Sequence, residues 1–228
     1  MMKIFAIGDL HLSLSVDKPM DIFSGWTDYV ERLTSNWKSL ISDEDIVVLV
    51  GDTSWGMSLK ESANDFDFIN RLPGKKYILK GNHDYWWDTR KKLETFFFEN
   101  GFDTLNILQN NAVETDEFII CGTRGWLFEN GEPHDAKIIQ REAGRLELSL
   151  QSIKSEKEKI AFLHYPPVYC DQVSAEILDV LLKYNVKRCY YGHIHGYGIS
   201  NALNGIYAGI EFKLISADAL GFCPIEIV

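Results

Sequence analysis

The 228-residue sequence predicts an α/β fold, a four-layer α-β-β-α sandwich in which two mixed sheets are flanked by helices. Two observations predict this class. Short apolar runs ending in Gly, Asn or His alternate with longer segments whose apolar residues recur at helical spacing, the pattern of βαβ units. Near the C-terminus the apolar runs become short and closely spaced, which is typical of antiparallel strands that extend or cover a sheet.

The predicted elements follow one another along the whole chain. Six apolar runs predict strands at residues 3–8, 46–50, 76–80, 117–121, 159–164 and 187–191. Apolar residues at helical spacing predict helices at residues 26–40, 59–72, 88–99, 135–153 and 174–184. Four further runs predict strands at 198–203, 206–210, 212–216 and 224–228, and the turn Leu203-Asn204-Gly205 indicates a hairpin between the first two of them.

Chain length and composition predict a single folded domain spanning residues 1–228. A hydrophobic content of 46% and a charged content of 25% are ordinary for a globular protein, which argues against disorder. The formal net charge of -10 argues against long nucleic acid and anionic membrane surfaces as partners, because both need a positive face.

Three features of the chain predict a cytoplasmic location. The apolar run at residues 1–7 is too short for the core of a signal peptide, and it reads as a buried first strand. No apolar stretch approaches the roughly 20 residues that a membrane helix requires. The four cysteines are scattered and form no C-x-x-C pair, so a thiolate metal site or a redox dithiol is disfavoured.

Histidines mark the ends of the predicted strands. In an open α/β sheet the loops at the carboxyl ends of the strands converge on one crevice, so residues distant in sequence meet there. His134 stands apart, and we expect it in a surface loop without a catalytic role. The other five follow predicted strands and lie next to Gly, Asp or Asn, and they are His11, His83, His164, His193 and His195.

The side chains gathered in these loops predict a site for two metal ions. Imidazole nitrogen and carboxylate oxygen suit borderline divalent ions such as manganese, iron and zinc. The pairs Asp9 with His11 and His193 with His195 have a spacing that directs both side chains to one side of an extended segment. Together with an aspartate, an asparagine and a histidine elsewhere, they exceed the needs of one four-coordinate ion. Two metals that share a bridging carboxylate fit better.

The order of these motifs resembles that of the calcineurin-like metallophosphoesterase superfamily, in which D-x-H, G-D, G-N-H-D/E, H and G-H-x-H follow one another. Each short motif alone is weak evidence, whereas five in this order, each after a predicted strand, are specific. In this chain they are Asp9-Leu10-His11, Gly51-Asp52, Gly81-Asn82-His83-Asp84, His164 and Gly192-His193-Ile194-His195.

The resemblance implies a metal-dependent phosphohydrolase that cleaves a phosphomonoester or phosphodiester by attack of a metal-bridging hydroxide. His83 would be the general acid or transition-state stabiliser, and Asp84 would orient its ring. The two divalent ions, manganese, iron or zinc, would share Asp52 as the bridge. By this resemblance one ion would be held by Asp9, His11, Asp52 and His195, and the other by Asp52, Asn82, His164 and His193.

Three residues outside the motifs are candidates for substrate contact. Trp55 would line an aromatic pocket, although core packing or loop anchoring is the alternative for a tryptophan. Arg124 would bind a phosphate in bidentate fashion, and a salt bridge to an acidic surface is equally open. Tyr165 follows His164 in a loop that two prolines stiffen, and it would approach the substrate.

The expected substrate is a small phosphorylated metabolite or nucleotide, with selectivity residing in residues 13–26, 55–58 and 124–134. A non-catalytic protein-binding scaffold on the same fold is the main alternative, although such a module has less reason to retain His83. A metal enzyme acting on a non-phosphate ester, or as an oxidoreductase, is a third hypothesis. The sequence does not indicate the oligomeric state.

Overall fold

Two mixed β-sheets form the centre of the computed structural model, which describes residues 2–126 and 136–228. The strands are β1 (Ile4–Ile7), β2 (Ile46–Leu49), β3 (Lys75–Ile78), β4 (Leu105–Ile107), β5 (Ala112–Glu114), β6 (Phe118–Thr123), β7 (Glu158–Leu163), β8 (Val168–Tyr169), β9 (Gln172–Val173), β10 (Arg188–Tyr191), β11 (Gly205–Tyr207), β12 (Ile210–Leu214) and β13 (Ile225–Glu226). The helices are α1 (Tyr29–Leu40), α2 (Ala63–Asn70), α3 (Arg90–Glu99), α4 (Ala136–Gln151) and α5 (Ala175–Lys183), with a 3₁₀ helix at Gly196–Asn201.

The first sheet has five strands in the order β13-β1-β2-β3-β4, and the second has six in the order β11-β12-β10-β7-β6-β5. Strands β1 to β4 are parallel, and β13 is antiparallel to β1. In the second sheet β6, β7, β10 and β12 are parallel, whereas β5 and β11 pair antiparallel at its edges. Both sheets are therefore mixed, as the sequence predicts.

Alternation of apolar side chains along each central strand builds four layers. On β1, Ile4 and Ala6 lie in the core cluster that also contains Phe162 of β7, so they fill the space between the sheets. Phe5 and Ile7 point the other way and belong to the cluster with the apolar faces of α1, α2 and α3. The second sheet packs its outer face against α4 and α5 in the same way. The predicted α-β-β-α sandwich is confirmed.

A backbone connection joins the two sheets at the carboxyl end of β1. Gly8 forms a parallel bridge with Ser216, in which the Gly8 N–H donates to Ile215 O at 2.8 Å and the Ala217 N–H donates to Gly8 O at 2.9 Å. A Cβ on Gly8 would lie 2.3 Å from Cγ2 of Val50, which follows β2, so a side chain here would collide with that residue. The loops that follow β1, β2 and β12 are consequently fixed beside one another.

The C-terminal segment differs from the prediction in two places. Residues 198–203 were expected to form a strand, but backbone bonds such as Gly198 N–H to His195 O produce a 3₁₀ helix. The hairpin turn lies at Ala208-Gly209, where φ is +50° and +80°, and it joins β11 to β12. Leu203 and Asn204 lead into β11 instead, whose first residue is Gly205, and Asn204 Oδ1 accepts a hydrogen bond from Leu214 N at 3.0 Å.

Four short strands, β4, β5, β8 and β9, were not predicted. Each contains only two or three residues, which is too few for alternation to be recognised. Across residues 2–126 and 136–228, no helix has the length and apolar character needed to cross a membrane.

One lysine inside the first sheet provides a test of the packing. Lys76 on β3 is fully buried, and its ammonium donates to Leu72 O and to Thr104 Oγ1 at 3.2 Å. Burial lowers the pKa of Lys76 to about 8 from the ordinary 10.5. Between these values the unfolded chain retains a proton that the folded chain has released, so this group makes the free energy of unfolding rise with pH.

We predict that Lys76→Met removes this pH dependence. Wild type should gain up to about 1.4 kcal/mol per pH unit relative to Lys76→Met between pH 8 and pH 10.5. Chemical denaturation of the metal-free proteins across that range measures the difference, and Lys75→Met at the exposed neighbouring position is the matched control. Parallel stability profiles of wild type and Lys76→Met would show that the ammonium is not desolvated as described.

Candidate metal centre

Two buried aspartates lie at the carboxyl ends of adjacent parallel strands. Asp9 follows β1 and Asp52 follows β2, and both side chains are almost completely removed from solvent. The Asp9 N–H donates to Gly51 O at 2.9 Å, and the His11 N–H donates to Asp52 O at 2.9 Å. These bonds continue the pairing of the two strands into their loops, so the carboxylates are positioned by the sheet itself.

The backbone of these loops adopts left-handed conformations that non-glycine residues rarely occupy, so the extended segments predicted for the pairs Asp9 with His11 and His193 with His195 are wrong. The φ angle is +58° at Asp9, +46° at His11, +49° at Asp52 and +73° at His193. Such conformations cost on the order of 1–3 kcal/mol each and persist where surrounding contacts enforce them. Here the enforcing contacts include hydrogen bonds from the His193 N–H to both Asp9 oxygens, at 3.1 and 3.0 Å.

Two glycines of the motifs allow other loops to approach the carboxylates. A Cβ on Gly192 would lie 2.3 Å from Asp9 Oδ2, and a Cβ on Gly81 would lie 2.0 Å from Asp52 Oδ1. Both separations are far shorter than van der Waals contact, so any side chain at these positions would displace the aspartates. The glycines of the G-N-H-D and G-H-x-H motifs therefore serve close packing of backbone against carboxylate.

Asp9, His11 and His195 form a first group whose ligand atoms all lie within 4.8 Å of one another. His11 Nε2 lies 3.3 Å from His195 Nε2 and 3.8 Å from Asp52 Oδ2. His195 Nε2 lies 3.5 Å from Asp9 Oδ1. This brings together the four residues expected to hold one of the ions.

Asp9, Asp52 and His164 form a second group within the same 4.8 Å limit. His164 Nε2 lies 3.6 Å from Asp52 Oδ2 and 2.6 Å from Asn82 Oδ1. His193 Nδ1 lies 3.0 Å from the same Asn82 oxygen. The structure thus also brings together the four residues expected to hold the other ion, with Asp52 between the two sets.

The donor atoms fit divalent cations. In the described part of the chain, the ion pairs of Asp9 and Asp52 involve only histidines, so no lysine or arginine offsets the two buried carboxylates. His11 Nδ1 is buried with no hydrogen-bond partner among the described residues. Facing imidazole nitrogens beside carboxylate oxygens form an oxygen and nitrogen donor set of the kind that manganese, iron and zinc accept.

Protonation of the histidines also suits metal binding. Burial lowers the pKa of His11 and of His193 to about 3, so both imidazoles are neutral near pH 7. The His164 pKa is likewise lowered by burial, and its Nδ1 lies 3.0 Å from Val50 O. A proton on Nδ1 would be donated to that carbonyl, which directs the lone pair of Nε2 toward Asp52 and Asn82.

His195 carries the opposite shift. Burial alone would lower its pKa, but hydrogen bonds with Asp218 and Asp9 and their negative charges raise it to about 10. The Asp52 pKa is raised by burial and by the neighbouring Asp9 charge. Without a cation, a proton on His195 offsets part of the carboxylate charge, and a divalent ion can replace that proton.

Asp218 is a residue of the site that the sequence analysis missed. Its Oδ1 lies 2.8 Å from His195 Nδ1, and its Oδ2 accepts the Gly196 N–H at 3.0 Å. Such a carboxylate fixes the ring of a ligating histidine and increases its basicity. The available signal was the one used for Asp9 and Asp52, since Asp218 follows an apolar run after β12.

His83 lies at the surface of the cluster and is partly exposed. Its ring is 4.7 Å from the Trp55 ring and 5.8 Å from the His11 ring, and its Nδ1 lies 3.3 Å from the Tyr85 hydroxyl. Burial, followed by the nearby charges of His164 and Lys18, lowers the His83 pKa. His83 therefore lies next to the cluster without belonging to either group of converging ligand atoms.

Asp84 makes different contacts from those expected, which were with the His83 ring. Its hydrogen bonds within the described residues come from the N–H groups of Asp52 at 2.9 Å, Thr53 at 2.8 Å and Gly81 at 2.6 Å, and from Trp86 Nε1 at 3.0 Å. None of these bonds involves the His83 ring. Both Asp84 oxygens are occupied by these donors. Asp84 therefore holds the loop after β3 against the loop after β2, and the groups that it orients are backbone N–H groups and not the His83 imidazole.

Arg124 and Tyr165 make protein contacts. The Arg124 guanidinium lies 3.6 Å from Glu142 Oε1 and 5.1 Å from the Trp126 ring. Arg124 therefore forms a salt bridge, although Glu142 is buried and does not belong to an acidic surface. Tyr165 is buried, and its ring lies 4.2 Å from that of His193, so it packs on the cluster from behind. His134 and most of the expected selectivity segment 124–134 lie outside the described residues.

Trp55 lines a cleft of about 670 Å³ above the cluster. Its ring stacks on His11 with centroids 4.8 Å apart and planes inclined by 22°. His11, His83 and His195 also line this cleft, so the cleft reaches two of the expected metal ligands, His11 and His195. The pocket alternative for Trp55 is supported together with the anchoring one.

Comparison with other proteins identifies a relative by sequence and solved structures of similar fold. An uncharacterized protein of Methanocaldococcus jannaschii is 25% identical over 139 residues, 59% of this chain and 70% of the relative. A protein of unknown function from Aquifex aeolicus has a TM-score of 0.53 and 14% identity, covering 99% of this chain and 96% of its own. A Thermus thermophilus protein has a TM-score of 0.55 and 11% identity, with coverages of 96% and 91%.

The two solved structures share the fold of this chain. Their sequence identities are too low to support any inference beyond the fold. The family is shown by the sequence itself, because the family model for calcineurin-like phosphoesterase matches residues 2–197 and so includes all five motifs. This chain belongs to the calcineurin-like phosphoesterase family.

Proposed function

We propose that the protein is a metal-dependent phosphohydrolase that cleaves a small phosphomonoester or phosphodiester. One observation carries the proposal. Four histidines and one asparagine converge on two buried carboxylates, and these seven residues come from five separate loops. Neutral imidazoles are among them, and no lysine or arginine is paired to these carboxylates in the described ranges. A folded chain has little reason to bury that charge unless a cation neutralises it.

In this proposal Asp52 is shared between two divalent ions. The position of its Oδ2 supports this, because that oxygen lies 3.8 Å from His11 Nε2 and 3.6 Å from His164 Nε2. When bound, the ions would supply charge neutralisation of the phosphoryl group and a lowered pKa of bound water. The chain contributes a fixed set of donors. One ion would be held by Asp9, His11, Asp52 and His195, and the other by Asp52, Asn82, His164 and His193.

His83 would act on the substrate side of the cluster. It lines the cleft above His11, where an imidazole can hydrogen-bond a phosphoryl oxygen or donate a proton to the leaving oxygen. The His83 backbone N–H donates to Asp52 Oδ1 at 2.7 Å. Asp52, the expected bridge between the two ions, therefore also fixes the backbone of His83, the expected general acid. Asp84 would contribute indirectly, as a positioning residue for both loops.

We predict that Asn82→Ala reduces both metal binding and phosphatase activity. Loss of a ligand should cost more than the roughly 10- to 100-fold that follows loss of a hydrogen-bonding partner of a ligand. Hydrolysis of p-nitrophenyl phosphate and bis-p-nitrophenyl phosphate by manganese-loaded protein, together with metal content, measures the effect. The control is Asn106→Ala, a comparably buried asparagine on β4.

The proposal fails if manganese-loaded wild type cleaves neither ester while Asn82→Ala binds as much metal as wild type.

We predict that His83→Ala lowers kcat without lowering metal content. Removal of a general acid should cost roughly 100- to 10,000-fold, and more for phenyl phosphate than for p-nitrophenyl phosphate, because the poorer leaving group needs the proton. Backbone bonding to Asp52 is retained in this variant, so the ligands stay in place. An equal loss for both esters would assign His83 to charge stabilisation alone, and a loss of metal would contradict its position outside the ligand set.

We predict that Asp218→Ala weakens metal binding about 10- to 100-fold, because His195 loses the carboxylate that fixes its ring. Manganese titration of activity and equilibrium dialysis measure the shift. Asp218→Asn keeps an oxygen acceptor and should fall between Ala and wild type. Asp116→Ala, an exposed aspartate between β5 and β6, is the control. Unchanged manganese affinity in Asp218→Ala would remove Asp218 from the site.

A further inference from the structure

We propose that the cleft beside the metal centre binds a planar aromatic ring carried by the leaving group of the substrate. This inference rests on the proposed phosphohydrolase function and names the class of phosphoester. It assigns selectivity to the loop after β1 and the 3₁₀ helix after β10, through Phe23 and Tyr197 in particular.

The size of the cleft indicates that more than a phosphoryl group occupies it. Its volume of about 670 Å³ lies within the range typical of sites for whole small molecules. His11, His83 and His195 line the side of the cleft that faces the metal centre. The rest of its wall is mainly apolar and is contributed by Met20, Phe23, Trp26, Trp55 and Tyr197.

The wall has little to offer a purely polar leaving group. Among its described residues, the one carboxylate, Asp218, already bonds His195 and the Gly196 N–H, which leaves the hydroxyls of Ser24 and Tyr197 as polar side-chain groups besides the histidines. Sugar hydroxyls would therefore lose water here with few partners in return. Flat π-faces dominate instead, and such faces favour stacking with another planar ring.

Two of these rings are exposed to solvent in the described part of the chain. Phe23 is 51% exposed and Tyr197 is 102% exposed, although both line the cleft. The deeper rings are fixed, because Trp55 stacks on His11 and Trp26 packs edge-on against Phe222 at 4.9 Å. A rigid base with two uncovered aromatic residues at its rim is suited to enclosing a flat ligand.

The position of His83 shows which part of the substrate would enter. His83 lines the same cleft, and in the proposed function it would face the leaving oxygen. The group attached to that oxygen then extends along the aromatic wall. Lys18 Nζ lies 4.3 Å from the Trp55 ring centroid and adds a positive charge near this wall, which favours an electron-rich ring or an anionic substrate.

The test compares the binding of alcohols that represent leaving groups. These alcohols contain no phosphoester bond, so the proposed phosphohydrolase cannot cleave them. Calorimetry on manganese-loaded protein with inorganic phosphate measures binding of adenosine, methyl ribofuranoside and n-hexanol. Adenosine should bind at least about fivefold more tightly than the other two, since stacking of a base on aromatic side chains contributes that much or more. Phe23→Ala and Tyr197→Ala should each remove much of this preference.

Phe98→Ala provides the matched control, because Phe98 is an exposed aromatic residue on α3 that does not line the cleft. Equal binding of adenosine and methyl ribofuranoside would overturn the proposal. Equal binding of n-hexanol and adenosine would overturn it too, in favour of a general apolar site. Hydrolysis of p-nitrophenyl phosphate and of bis-p-nitrophenyl phosphate tests the proposed function separately, so selective adenosine binding without hydrolysis of either ester would uphold the aromatic site and contradict the phosphohydrolase.

Discussion

Burial of two carboxylates side by side is the constraint on which the rest of the structure depends. Oxygens of Asp9 and Asp52 lie within 4.8 Å of each other, and neither aspartate is paired with a lysine or arginine in the described ranges. Removing such charges from water costs several kcal/mol per ion unless they are compensated. The compensation in this chain consists of backbone N–H groups and histidines, a set that solvates anions and at the same time offers nitrogen donors to cations.

The fold supplies that compensation through loops that lock one another. Pairing of β1 with β2 continues into the loops of Asp9 and Asp52, and the bridge between Gly8 and Ser216 brings the second sheet to the same edge. Asp84 then fastens the third loop to the second through three backbone bonds. Four site residues have left-handed backbone, and these hydrogen bonds hold the loops in that conformation.

The sequence predicts the residues of the site better than their contacts. The convergence of the candidate ligands could be predicted because each follows a buried strand, and the carboxyl ends of parallel strands meet at one edge. The role of Asp84 could not, because its partners are backbone groups 31 and 32 residues away. Asp218 was missed although it follows an apolar run as Asp9 and Asp52 do, because its contact with His195 joins two loops that no motif links. Short strands such as β4 and the displaced hairpin at Ala208-Gly209 depend on register, which periodicity does not specify.

The aromatic cleft adds a second level of organisation to the same edge. Trp55 contacts both His11 and His83, so the wall that would hold the leaving group is anchored on the residues that would carry the chemistry. The most direct test of this account is anomalous diffraction from crystals soaked in manganese. The account predicts two peaks, one contacting His11 and His195 and the other contacting Asn82 and His164, with Asp52 touching both. A single peak, or none among these residues, would contradict it.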